Sequence, residues 1–382
     1  DPRMIPGFDP RTILADSKSF TIGNVPAGME ALVLAELART GAPVAYVLSD
    51  GQLMADIEQM IGFHAPEIPV LSLPGWDCLP YDRVSPGTDV SARRLAALSG
   101  LIEHARKPHP AVLLTTANKL PPADAIAAMG FSARPGQTMK MDDIAARLER
   151  NGFDRVATVR EVGEFAVRGG ILDVFMPGEE QPIRLDFFGD TLETIRYFDP
   201  ASQRTTGQAK SIELHPMSEV SLNPDMISRF RKNYLTLFGA ATRDDALYTA
   251  ISEGRRFAGM EHWLPLYYES LDTLFDYLGA FRILSDHTLQ ESAQERFTLI
   301  SDYYEARKES GKPQKGMTQG APYKPVPPHQ LYLSGEQVML ELRERGAIRV
   351  TPFNEHEGEA RKVVALDARP GTRWARSGEQ QG

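Results

Sequence analysis

The sequence has almost no cysteine. Cys78 is the only one in 382 residues, so no disulfide can form within the chain, and a reducing cytoplasm suits it. No apolar run approaches the roughly 18 residues that a membrane helix requires. The opening stretch, DPRMIPGFDPRTILADSKSF, lacks an apolar core of signal-peptide length, and no membrane role is expected. There is no H-E-x-x-H, C-x-x-C or G-x-S-x-G, and the eight histidines are scattered. The sequence therefore offers neither a metal-ligand set nor an activated nucleophile, and no catalytic or metal-binding residue is assigned. Positive charge is also short. A formal net charge of −9 disfavours a broad electrostatic grip on nucleic acid. The chain begins without Met and stops in the polar TRWARSGEQQG, and so reads as a piece of a longer protein.

What is present suggests two or three domains. Residues 1–129 hold short apolar strands, at Phe20–Ile22, Val44–Leu48, Val70–Leu73 and Val112–Thr115, alternating with amphipathic helices. One helix carries Met29, Leu32, Val33 and Leu37 at helical spacing. Another, near Asp89–Arg106, buries Leu95, Leu98, Leu101 and Ile102, with Thr88 as its cap. This alternation implies an open α/β domain with a parallel sheet. Residues 130–215 change grammar. After a helix at Met141–Arg150, the runs VATVREVGEFAVRGGILDVFMPG, PIRLDFFGD, TLETIRYFD and KSIELH follow period two. They read as an antiparallel meander turning at Gly169-Gly170 and Gly189-Asp190, a separate α+β domain. Residues 216–347 return to helices, at Asp225–Phe238, Asp244–Ser252, Thr288–Glu309 and Gly335–Arg345, with a strand at Phe281–Ser285. Residues 310–328 form a Pro/Gly/Lys-rich loop, and residues 348–382 read as a linker. Asp82, Asp89 and Asp286 sit near element ends and read as caps. Glu355-His356-Glu357 reads as solvated. Basic clusters at Arg93-Arg94, Arg229-Phe230-Arg231-Lys232 and Arg255-Arg256 read mostly as solvated helix faces.

Two stretches carry the functional argument. Gly23-Asn24-Val25-Pro26-Ala27-Gly28-Met29-Glu30 has both glycines of a phosphate-binding loop at G-x-x-x-x-G spacing, on the first strand-to-helix turn. Lys and Ser/Thr should follow, but Met29 and Glu30 stand there. Met brings no charge, and Glu at a helix N-terminus repels the anion that the helix dipole would attract. The loop reads as a degenerate, P-loop-NTPase-like frame. The second stretch is PIRLDFFGD. Strand alternation puts Ile183, Leu185 and Phe187 on one face and Arg184, Asp186 and Phe188 on the other. That second face is either a second buried surface or a protein-binding patch, since Arg and aromatics dominate hot spots. Arg168 borders it across the neighbouring turn. Seven Lys/Arg against eleven Asp/Glu in residues 151–215 give a net −4, which suits a protein partner better than DNA. Substitutions at Arg184 and Phe188 should leave the fold intact, because these side chains face away from the apolar set.

WDCLPYDRVSPGTDVSARRLAAL, GEFAVRGGILDVFMPG, PIRLDFFGDTLETIRYFDPASQRT and GMEHWLPLYY, taken together and in order, resemble the N-terminal module of the bacterial transcription-repair coupling factors, itself similar to the excision-repair protein UvrB. The likeness spans about residues 20–345. It implies that the first and third segments are parts 1A and 1B of one α/β domain, with the antiparallel domain 2 inserted between them. It implies UvrA as partner, bound through domain 2, and on motif match Arg168, Arg184 and Phe188 fall on that surface. It implies no cofactor here, ATP and Mg belonging to motor domains outside the chain. RNA polymerase and DNA would be reached through those missing parts, and the family's C-terminal half would mask the UvrA surface. The aromatic hairpin that UvrB inserts into damaged DNA has no room here, since Trp76–Pro86 runs almost directly into the next helix. The two competing functions are a nucleotide-dependent helicase-like domain and a sensor of damaged DNA.

Overall fold

The computed structural model describes residue 5 and residues 7–15, 20–49, 51–310, 322–355 and 362–367. A seven-stranded, all-parallel sheet has the order Lys362–Ala365, Phe20–Gly23, Ile348–Val350, Arg282–Asp286, Val44–Val47, Val112–Thr115, Val70–Leu73. Its central strands, such as VAYV and VLLT, are buried at every residue. This is why they read as continuous apolar runs: helices cover both faces. Ala45, Val47, Leu113 and Ile283 point into one core, packed by helices Thr88–Arg106, Pro224–Phe238, Leu289–Ser310 and Gly335–Glu344. Val44, Tyr46, Leu114 and Leu284 point into the other, with helices Glu30–Arg39 and Gly51–His64.

The parallel sheet is built from two chain segments. Between them the chain makes a second unit, entered through Phe131–Ala133 and left through Ile212–Leu214, which pair antiparallel. Beyond this neck lie helix Met141–Arg150 and a six-stranded sheet of order Thr205–Ala209, Thr191–Phe198, Ile183–Phe188, Ile171–Val174, Glu164–Arg168, Asp154–Arg155. All its pairings are antiparallel except the last. Gly169 and Gly189 take positive φ, +59° and +58°, in the two tight turns.

Helix boundaries follow their caps. Asn223 accepts from the Met226 N–H at 2.9 Å with Pro224 in the first turn, and Ser334 closes a capping box with Gln337. Asp286, expected as a cap, accepts from the Thr288 N–H at 3.1 Å in the turn before helix Leu289–Ser310 and not from the helix's first turn. The helix at Thr88–Arg106 differs. Gly87 precedes it with no side-chain cap, and Asp77 Oδ1 accepts the Gly87 N–H at 2.8 Å, so Thr88 is not the cap.

Other parts of the sequence reading are corrected as well. Ile348–Val350 and Lys362–Ala365 are strands flanking Phe20–Gly23, so this part of the chain is sheet and not linker. Ile348–Val350 and Lys362–Ala365 carry charged residues, Arg349 and Lys362, and so lack the continuous apolar run by which the other strands are read. KSIELH belongs to the neck pair and not to the meander, whose edge is the polar Thr205–Ala209. Helix Gly51–His64 went unread because it opens on Gly and its core face is only Met54, Ile57 and Ile61. Residues 311–321, most of the Pro/Gly/Lys-rich loop, and His356 and Glu357 lie outside the described residues.

Arg94 is not on a solvated helix face. It is 2 % exposed and donates to Glu219, 5 % exposed, through Nε at 3.0 Å and Nη2 at 2.8 Å, and to the Pro74 carbonyl at 2.6 Å. Trp76 Nε1 reaches the same carboxylate at 3.3 Å, and the Tyr268 hydroxyl bonds the Glu219 carbonyl. This pair ties helix Thr88–Arg106 to the chain returning from the antiparallel unit. Arg94→Met should lower the unfolding free energy by about 3–5 kcal/mol, because Glu219 is left buried without its cation. Arg94→Met with Glu219→Leu should recover most of that in a denaturant titration. A double variant as weak as the single one would contradict the assignment.

Candidate functional site

The glycine loop turns sharply: Asn24 has φ +54° and Gly28 φ +96°. Four of its backbone N–H groups are engaged within the protein. Asn24 donates to the Phe353 carbonyl at 2.9 Å and Val25 to Thr351 at 3.0 Å. Met29 donates to Pro26 at 2.9 Å, and Gly28 to Glu30 Oε2 at 2.6 Å. A phosphate cradle needs such N–H groups free. Local packing accounts for the glycines by itself. A Cβ at Gly23 would stand 3.0 Å from the Phe353 carbonyl, and Gly28 needs the left-handed region. Burial raises the pKa of the Glu30 carboxyl. So Gly23, Gly28, Met29 and Glu30 meet in one loop, and the loop is closed on itself.

The second site lies on the six-stranded sheet. Asp173, fully buried, organises it. Arg184 Nε and Nη2 donate to its two oxygens at 2.7 and 2.9 Å, and Arg168 Nη2 adds a third bond at 3.1 Å. The fork-to-carboxylate geometry raises the Arg184 pKa further. The Arg184 guanidinium also stacks 4.5 Å from the Phe198 ring. Directly opposed residues set this row: Ala166 faces Asp173, which faces Arg184, which faces Arg196. One step along, Asp186 accepts from Thr194 Oγ1 at 2.7 Å and Arg196 Nε at 2.9 Å. A bulge between Asp186 and Phe187 ends the regular pairing. Phe188 then stands 77 % exposed beside the Gly189 turn.

Residues 131–220 match the UvrB interaction domain. The chain thus carries such a domain within a longer stretch similar to transcription-repair-coupling factors. It is 32% identical over 307 residues to that of Rickettsia bellii, covering 79% of this chain and 27% of the relative. For Escherichia coli K12 the figures are 31% over 325 residues, 84% and 27%. For Myxococcus xanthus they are 37% over 255 residues, 62% and 21%. The chain spans about a quarter of the length of the curated relatives it matches.

Within the UvrB interaction domain, Arg168 and Arg184 come together on one carboxylate, while Phe188 sits at the far end of the Arg184 strand. The second face is neither wholly buried nor wholly open. Val159, Ala166, Phe175 and Phe198 form a small core that covers its near end, and the Phe188 end is bare. Sequence reasoning missed Asp173, although a lone acid inside ILDVF breaks an apolar strand and was there to be read. It also overstated the tolerance of Arg184, whose side chain is structural as well as accessible. Arg184→Ala should cost about 3 kcal/mol or more, because Asp173 keeps only the half-exposed Arg168. Phe188→Ala should stay within about 0.5 kcal/mol of wild type. Equal midpoints for the two variants in urea unfolding would contradict the role given to Asp173.

Proposed function

We propose that this chain is the repair-recruiting module of a transcription-repair-coupling factor, presenting its UvrB interaction domain to UvrA in nucleotide excision repair. The observation that carries this reading is the match at residues 131–220, on whose sheet Asp173 fixes Arg184 and an exposed Phe188 stands at the far end of the same strand. Arg168, Arg184 and Phe188 are the partner-binding residues. A partner surface fits them if it offers an acidic group next to an apolar pocket. In this reading the parallel-sheet unit is an inert scaffold without nucleotide or metal. The ATP-driven motor and the contacts to DNA and RNA polymerase belong to parts of the protein outside the chain, which act in the cytoplasm. In this reading the C-terminal half of the whole protein masks the UvrA surface until the motor engages.

Phe188→Ala should weaken UvrA binding by about 2–4 kcal/mol, roughly 30- to 1,000-fold, with the fold intact by circular dichroism. Arg168→Glu should weaken it too, by opposing like charges. Calorimetry with purified UvrA measures both. Wild-type affinity in the Phe188 variant would show that the surface lies elsewhere, and no binding by the wild type would undo the reading.

ATP should not bind the loop at Gly23–Glu30, whose donors are engaged and whose carboxylate opposes the phosphates. Saturable binding of a nucleotide analogue, abolished by Gly28→Val, would refute this.

A further inference from the structure

A cavity of about 270 Å³ opens at the carboxyl ends of four parallel strands, Val44–Val47, Val70–Leu73, Val112–Thr115 and Arg282–Asp286. It lies where the strand order reverses. From Val44–Val47 the chain leaves through helix Gly51–His64 on one face toward Val70–Leu73. From the adjacent Arg282–Asp286 it leaves through helix Leu289–Ser310 on the opposite face toward Ile348–Val350. Open α/β sheets bind ligands in such crevices. Its lining includes no residue of the glycine loop and none of the six-stranded sheet.

Three cations and no carboxylate line the cavity. Two of the cations are engaged: Arg94 by Glu219, and Lys119 by the His329 carbonyl. Arg296 is not. It reaches in from helix Leu289–Ser310, and among the described residues it has no hydrogen bond or ion pair. A Cβ at Gly75 would stand 3.8 Å from both its Nη atoms and 3.4 Å from Thr116 Oγ1, ordinary contact distances that place the guanidinium and this hydroxyl beside one another at Gly75. Arg296 is itself exposed at the cavity mouth, so water solvates its guanidinium in the empty cavity, and an anion docked there gains a charge-assisted hydrogen bond in exchange for that water. Trp76, Ile300, Leu333 and Val338 give the rest of the wall apolar surface, interrupted by Ser49, Asn118, Ser292 and Tyr332.

We propose that this cavity binds a small organic anion, a phosphate- or carboxylate-bearing molecule with an apolar body, its charge on Arg296 beside Thr116 and its body against Trp76 and Leu333. Calorimetry of the 382-residue chain with phenyl phosphate and with benzoate tests it. At least one should bind one-to-one, with inorganic phosphate and benzyl alcohol each weaker, since each lacks half of the match. Arg296→Gln should weaken that binding about tenfold or more. Because Arg296 holds no protein group, the variant should melt no earlier than wild type, so a loss of binding would not be a loss of fold. Saturation by neither probe, or full binding by the Gln variant, would overturn the proposal. Displacement of the bound probe by an oligothymidylate would overturn it too, by moving the site to a nucleic-acid backbone.

Discussion

The architecture turns on one buried ion pair, Arg94 with Glu219. Moving two charges out of water is costly, and the cost is recovered only where geometry is good and the other donors and acceptors are filled. Here the guanidinium gives two bonds to the carboxylate and one to Pro74, while Trp76 and Tyr268 bond the same glutamate residue. The pair therefore joins the long helix of the first segment, the turn after Val70–Leu73, and the first residues to return from the inserted unit. It also sets the field of the neighbouring cavity. With Arg94 neutralised, Arg296 and Lys119 are the cavity cations without an opposite charge among the described residues, and Lys119 is held by the His329 carbonyl.

The antiparallel unit repeats the device with a different outcome. Asp173 is as deeply buried as Glu219, but its arginines lie at the surface, Arg184 mostly covered and Arg168 half-exposed. A buried acid that holds surface arginines fixes their direction and removes rotamer entropy before any partner arrives, which is how a polar patch gains affinity without added area. The same dependence means that loss of Arg184 disturbs the fold and the surface together, whereas Phe188 can be removed almost without touching the fold.

The glycine loop owes its spacing to local packing. Its N–H groups donate to carbonyls of the strand ends and turn at Thr351 and Phe353, and its first helical side chain, Glu30, accepts from Gly28. Steric need at Gly23 and positive φ at Gly28 preserve the spacing whether or not a phosphate is bound.

The sequence by itself determined the periodic elements. Strands buried on both faces, amphipathic helices such as Met141–Arg150, and turns that demand glycine each write a local pattern, and their succession separates a parallel sheet from an antiparallel one. It also determined the chemistry that the loop lacks, since a missing Lys is visible without coordinates. Tertiary structure alone decided which charges are engaged. Arg94 and Arg296 are both arginines on amphipathic helices, and only the placement of Glu219, 125 residues from Arg94, distinguishes them. It decided that Ile348–Val350 and Lys362–Ala365 are sheet, because pairing with Phe20–Gly23 is a contact across more than 300 residues that no local window contains. It decided, too, that Arg184 is held by Asp173, since cross-strand register follows from turn geometry and bulges, and alternation along one strand cannot supply it.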